Sequence, residues 1–283
     1  MGEPQNRTLS GPGPSLGPGL HRLGPGVWIT SGRAALVEGP DHLALVDPGD
    51  EPWEIVGEEI RRLERKTGKP LGWVLVTHSH PDHVANLDAA RRMRPGVRVV
   101  AHPAGGLGPH VARVLDEVGP GVRALVTPGH SDRGDDLSFW VPPGILFPGD
   151  LVQPKGETWE RAFYPSPYPY FRDGDAYLDS LGRLEALPLE VLVTGHREIR
   201  PGDRGRAWIR LTRRAIERLA EEAARWEGPP DPVAAGREVF RRLSRERGIP
   251  SEAVERRLGG PPGASPFERF DLPGFLWAWR RRL

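Results

Sequence analysis

Three imidazoles and a carboxylate fall within six residues in Thr77-His78-Ser79-His80-Pro81-Asp82-His83. Burying such groups unpaired is costly, whereas imidazole and carboxylate are ligands that Zn²⁺, Mn²⁺ and Fe²⁺ accept. The run before them, Trp73-Val74-Leu75-Val76, is short, apolar and partly β-branched, which predicts a buried strand. Just past a strand end the backbone can turn and aim these side chains at a common region, His78 and His80 toward one metal ion, Asp82 and His83 toward a second. The competing reading is a chance run of histidines in a solvated loop.

The rest of the chain decides between the two. Leu125-Val126-Thr127 leads into Pro128-Gly129-His130, Ile145-Leu146-Phe147 into Pro148-Gly149-Asp150, and Val191-Leu192-Val193-Thr194 into Gly195-His196. Each is an apolar strand, then a small or turn-forming residue, then one side chain able to bind a metal. Seven such side chains thus lie at the ends of four strands, and groups collected at one end of a sheet converge in space.

With these residues in order, the chain resembles the metallo-β-lactamase superfamily. The H-x-H-x-D-H pattern falls on His78, His80, Asp82 and His83, and the later His, bridging Asp and final His fall on His130, Asp150 and His196. Leu45-Val46-Asp47-Pro48-Gly49 is similar to the V-D-x-G turn of that family. The resemblance covers roughly residues 27–200 and implies an αββα sandwich with a dinuclear site at one edge. It assigns His78, His80 and His130 to one metal, Asp82, His83 and His196 to the other, and Asp150 to both. Two divalent ions, Zn first with Fe or Mn as alternatives, would share a hydroxide as nucleophile. Asp82 would orient that hydroxide, which makes it the candidate catalytic residue. Asp47 is a candidate to hold one of the imidazoles, with an ordinary turn-forming Asp as the equal alternative.

Within the superfamily, B1 β-lactamases carry a Cys ligand, and this chain has no cysteine. Acyl-homoserine lactonases place a Tyr shortly after the bridging Asp, where this chain reads Leu151-Val152-Gln153-Pro154. Gly149-Asp150, a Pro/Tyr-rich stretch and then Tyr177-Leu178-Asp179-Ser180-Leu181-Gly182-Arg183-Leu184 look instead like the glyoxalase-II-like branch, which includes lactamase-like endoribonucleases. Ser265-Pro266-Phe267-Glu268-Arg269 is faintly similar to the N-P-F-x-R element of glyoxalase II, too little to assign glutathione.

Around these residues the chain divides into a Gly/Pro-rich arm (1–26), a catalytic domain (27–205) and an Arg-rich helical unit (206–283). Short strands are expected at 27–30, 33–38, 43–47 and 97–101. Helices are expected at Glu54 to Thr67, with Ile55, Ile60 and Leu63 on one side, and at Asn86 to Met93. Further helices are expected from Asp203 to Trp226, from a Pro232 start capped by Asp231 to near Gly248, and over Ser251 to Leu258. Between Trp159 and Phe171 the aromatics Phe163, Tyr164, Tyr168, Tyr170 and Phe171 suit either a substrate-facing lid or a packed loop.

Composition removes several classes. No run of about 18 apolar residues is present, so no membrane span is expected. The N-terminus has no apolar signal segment, and cytoplasm is the default location. Net charge is +1, yet residues 206–283 hold 17 Arg against 11 Asp and Glu, an excess of +6. Solvated helix faces explain that excess better than an anionic partner does. The leading expectation is a hydrolase of a small ester or thioester, with a small-molecule, anionic substrate as partner. A nuclease or phosphodiesterase binding nucleic acid through the Arg-rich unit comes second, and a mononuclear-iron persulfide dioxygenase third. The oligomeric state is not addressed by these features.

Overall fold

The computed structural model describes residues 19–31, 34–107, 111–112, 121–153, 166–196, 198–261 and 263–281. Most of the N-terminal arm, Phe163, Tyr164 and His110 lie outside these residues. The first sheet has the order β1 (His21–Gly24), β2 (Val27–Ile29), β3 (Ala35–Glu38), β4 (Leu43–Val46), β5 (Leu71–Leu75), β6 (Arg98–Val100), β7 (Val111–Ala112). Its early strands are antiparallel hairpins; from β4 onward the pairing is parallel. Parallel strands need crossovers. These are α1 (Trp53–Thr67) between β4 and β5, and α2 (Pro81–Val84) with α3 (Leu87–Met93) between β5 and β6. The second sheet pairs β8 (Arg123–Val126), β9 (Leu137–Val141), β10 (Ile145–Phe147), β11 (Val191–Val193) and β12 (Ile199–Pro201) in chain order. Its one parallel pair, β10 and β11, is joined through α4 (Gly174–Glu185).

Alternation along the strands decides the layers. In β4, Ala44 and Val46 face the second sheet and join Leu75, Phe139, Val141, Phe147 and Val193 in an apolar layer between the sheets. Leu43 and Leu45 point the other way, onto Val56, Ile60 and Leu63 of α1. The outer face of the second sheet, with Trp140, Leu146 and Leu192, is covered by α4, α5 (Gly202–Ala224), α6 (Pro232–Glu246), α7 (Ser251–Leu258) and α8 (Leu272–Arg280). The result is an αββα sandwich. Among the described residues no helix is long and apolar enough to cross a membrane.

Several expected helix ends appear where local chemistry puts them. α1 stops at Gly68, whose left-handed backbone lets its N–H bond the Glu64 carbonyl. α6 starts at Pro232 behind Asp231, whose carboxylate accepts from the Val233 N–H. One face is corrected: Ile55 is 48 % exposed, and Val56 takes its place in the buried stripe with Ile60 and Leu63. The 56, 60, 63 spacing is the helical one; Ile55 lies one residue off that stripe. The C-terminal tryptophans pack on the apolar cluster under the second sheet, with Trp208 buried and Trp226, Trp277 and Trp279 partly so.

Candidate metal centre

Parallel pairing puts the functional strand ends on one edge. β4 delivers Asp47 beside the Thr77-His78 turn that follows β5, and β10 delivers Asp150 beside the Gly195-His196 turn that follows β11. A backbone hydrogen bond from Leu137 N–H to the Thr77 carbonyl (2.7 Å) joins the two sheets at this edge. The glycines in the turns are required. Gly149 has φ +54, and a Cβ there would sit 2.6 Å from Thr77 Oγ1. A Cβ on Gly195 would run into the Asp150 carboxylate and His83.

All seven side chains read from the sequence come together here. Three sets have ligand atoms within 4.8 Å of one another: His78, His80 and His130; His78, His83 and Asp150; Asp82, His83 and His196. His78 Nε2 is 2.9 Å from His80 Nδ1. Asp150 lies centrally, with Oδ2 2.9 Å from His196 Nε2 and 3.9 Å from His130 Nε2, and Oδ1 3.5 Å from His83 Nε2. Asp82 is at the rim, its Oδ2 3.8 Å from His83 Nε2.

The donor set fits a cation. His83 Nε2, His130 Nε2 and Asp150 Oδ1 are buried atoms with no hydrogen-bond partner, which ordinarily costs a few kcal/mol each unless something meets them. Donor atoms around one tetrahedral Zn²⁺, bonded at ~2.0–2.1 Å, lie roughly 3.3 Å apart. The 2.9–3.9 Å spacings of the His78–His80, His83–Asp150 and His130–Asp150 pairs bracket that value. Protonation states agree in most positions, since a ligating imidazole must be neutral. Burial, with the neighbouring His83 and His130, holds His78 well below the usual imidazole range. Burial also lowers His80, and takes His130 down to about 4. His83 differs. Burial opposes its charged form, but the Asp150 and Asp47 carboxylates prevail and raise it. A cation binding there must therefore displace a proton.

Two of the rings are held from behind. His83 Nδ1 is 2.9 Å from Asp47 Oδ2, so the carboxylate holds the Nδ1 proton and Nε2 is the nitrogen turned inward, from which a cation would displace the second proton. Asp47 also accepts from the Thr77 N–H and hydroxyl, both at 2.7 Å. It adopts φ +45, alone among the described non-glycine residues, a conformation Asp tolerates better than most. Thus Asp47 is both turn former and ring holder. His130 Nδ1 is held by the Tyr170 carbonyl at 3.0 Å. Asp47→Ala should weaken metal binding about 10- to 100-fold, read by titrating metal into the apoprotein and comparing half-saturation with wild type.

Other positioning groups were not singled out from the sequence. Buried Asp135 accepts from the Ser79 N–H (2.9 Å) and the Ser131 hydroxyl (2.6 Å), tying the His78-His80 turn to the His130 turn. Asp136 accepts from the Gly129 and Ser131 N–H groups on either side of His130. The adjacent carboxylates of Gly134-Asp135-Asp136 were the available signal. The aromatic stretch divides. Tyr168 and Phe171 are fully buried and belong to the core, not a lid. Tyr170 alone of the described aromatics there faces the site, its ring centroid 5.2 Å from His130 and 5.9 Å from His80. Its hydroxyl donates to Asp132 Oδ1 (2.7 Å). His102 caps a short turn, accepting from the Ala104 N–H.

A two-sheet sandwich flanked by helices, with imidazoles and carboxylates gathered at one edge, is an αββα sandwich carrying a candidate metal centre. The profile of the metallo-beta-lactamase superfamily matches residues 29–196, and the chain belongs to that superfamily. It is similar to the hydroxyacylglutathione hydrolase of Chromohalobacter salexigens, 29% identical over 251 residues covering 83% of this chain and 81% of that protein. It is also similar to the hydroxyacylglutathione hydrolase of Chelativorans sp., 31% identical over 222 residues, 74% of this chain and 76% of that one. Among solved structures, a beta-lactamase domain protein from Burkholderia ambifaria aligns with TM-score 0.60 at 20% identity, covering 85% of this chain and 88% of its own. A metallo beta lactamase from Hirschia baltica aligns with TM-score 0.53 at 18% identity, covering 69% and 96%. At those identities the structures speak for the fold, and the profile and relatives make the chain a metallo-β-lactamase-fold hydrolase.

Proposed function

We propose that this hydrolase cleaves a small ester or thioester at a two-cation centre. His78, His80 and His130 would hold one cation, Asp82, His83 and His196 the other, with Asp150 between them. The observation that carries the reading is the convergence of three ligand sets, in which His83 Nε2, His130 Nε2 and Asp150 Oδ1 are buried with no hydrogen-bond partner. Divalent cations bound there would lower the pKa of water and polarise a carbonyl. Zn is favoured by the His-rich set, with Fe or Mn as alternatives.

The chain's own groups do the rest. Asp47 Oδ2 and the Tyr170 carbonyl each retain a proton on the outward nitrogen of an imidazole, His83 and His130 respectively. Asp82, its side chain about one-third exposed (34%) at the rim, orients the attacking water. Burial and Asp132 raise the Tyr170 hydroxyl above its usual range, so it stays protonated and serves as a wall rather than a base. Beyond it, Phe270 stands 5.9 Å from Tyr170, and the Arg269 guanidinium lies 5.0 Å from the Phe270 ring. An anionic group on the substrate, met from this side by Arg269, is part of the proposal.

Relatives named for hydroxyacylglutathione hydrolysis favour an acyl substrate over a phosphodiester. So does the charge pairing of the C-terminal helices. Arg218 meets Glu246, Arg241 meets Glu255, Arg237 meets Glu268 and Arg257 meets Asp271, while Arg242 pairs with Glu222. These five arginines are thus engaged by carboxylates of the same unit and not by a nucleic-acid backbone, while the unit's net excess stays +6. Purified protein should be assayed on acyl thioesters, esters, lactones, phosphodiesters and short RNA, before and after chelation. Turnover of a thioester or ester, lost with chelator and restored by Zn²⁺, is expected. Activity confined to phosphodiesters or RNA would replace this reading with the nuclease. Oxygen uptake with a persulfide and one iron per chain would replace it with the dioxygenase.

A further inference from the structure

The C-terminal helices reach the His130 imidazole through residues 166–173. We propose that the buried Arg257–Asp271 ion pair is a positioning device for His130: it fixes the strap whose Tyr170 carbonyl holds the ring. This rests on the reading of His130 as a metal ligand.

The path is continuous. Arg257 Nε is 2.6 Å from Asp271 Oδ2, and both side chains are at least 95% buried. The Ser166 hydroxyl lies 2.7 Å from Asp271 Oδ1 and 2.8 Å from the Tyr168 carbonyl, and the Tyr168 hydroxyl donates to the Asp271 carbonyl at 3.3 Å. Two side chains of the strap are locked in the core, Tyr168 against Phe240 and Phe171 against Tyr177 and Trp277. At its far end the Arg172 and Asp173 N–H groups donate to the Gly129 carbonyl, at 2.9 and 3.2 Å. Gly129 immediately precedes His130. Between these anchors the Tyr170 carbonyl meets His130 Nδ1.

A buried ion pair is a poor way to gain stability, because desolvation offsets much of the attraction. It does fix geometry, since each charge tolerates burial only with its partner in place. Here the fixed element ends on a ring that must present one nitrogen in one direction. No strap residue is among the candidate ligands, so the strap acts on the centre through the orientation of His130.

The test is Co²⁺ titration of full-length apoprotein, followed by visible absorption, with thermal midpoints measured in parallel. Ser166→Ala and Asp271→Asn are compared with wild type and with Arg218→Gln, a change on the exposed side of α5. Both strap variants should raise the half-saturation concentration of one bound Co²⁺ about 10-fold, the range for loss of a ligand's supporting partner, and should alter the ligand-field bands. Arg218→Gln should change neither. Strap variants with wild-type bands and affinity, whatever their thermal midpoint, would overturn the proposal and make the pair purely structural. If Asp271→Asn does not fold, Ser166→Ala decides, because it leaves the ion pair in place. Wild-type protein that takes up no Co²⁺ would overturn the metal reading along with this one, whereas normal uptake with unaffected variants overturns this one alone.

Discussion

Asp150→Ala should lower kcat/KM at least about a thousandfold while leaving circular dichroism unchanged. Asp150 lies within 4 Å of nitrogens from His83, His130 and His196 at once. Burial works against its ionised form, but His196 and His83 hold its pKa well below the carboxylate range, so it is an anion at any working pH. Removing it takes away the shared negative charge between the two ligand sets. Metal-ion catalysis is worth several kcal/mol of transition-state stabilisation, and about 4 kcal/mol corresponds to three decades of rate. The fold should survive because Asp150 sits at the sheet edge, while the apolar layers on either side do not include it. Steady-state kinetics with metal content measured on the same sample checks this. Retained activity at normal metal content would show that Asp150 does not join the two sets.

The second large effect concerns stability. Arg257→Ala should destabilise the chain by about 3–5 kcal/mol, the cost of leaving one buried charge without its partner. Asp271 is fully buried and its carboxylate also meets Ser166, so no solvent replaces the guanidinium. Arg257 additionally lies over the Phe270 ring at 5.3 Å, packing that is lost with it. The thermal midpoint should fall roughly 6–20 °C, at about 2–4 °C per kcal/mol. Replacing both partners, as Arg257→Met with Asp271→Leu, should cost less than Arg257→Ala. A single variant as stable as wild type would mean that the pair is open to water in solution.

The site was readable because its chemistry is local in sequence. His78, His80, Asp82 and His83 share one turn, and each later candidate ligand follows an apolar run ended by a small residue. The structure supplies the reason for those small residues: at Gly149 and Gly195 a side chain would occupy space held by Thr77, Asp150 or His83. Helices α1, α5, α6 and α7 were legible from periodicity and from punctuation by Gly and Pro. Groups that act across large sequence separations were not. Asp135 reaches Ser79 over 56 positions and Asp271 reaches Ser166 over 105, and a lone buried carboxylate leaves no periodic trace. β9, Leu137-Ser138-Phe139-Trp140-Val141, is buried on both faces, so it lacks the alternation that marks a half-exposed strand. Ser265 and Glu268 lie in the stretch that is faintly similar to an N-P-F-x-R element. They form reciprocal hydrogen bonds, Ser265 N–H to Glu268 Oε2 at 3.1 Å and Glu268 N–H to Ser265 Oγ at 3.2 Å, that begin a helical turn.

Anomalous diffraction from crystals of protein never exposed to chelator, paired with elemental analysis, tests the two-cation centre most directly. Two anomalous peaks are expected, one among His78, His80 and His130 and one among Asp82, His83 and His196, with Asp150 between them and about two metal ions per chain in solution. A single peak confined to one set, or none at either, would contradict the account.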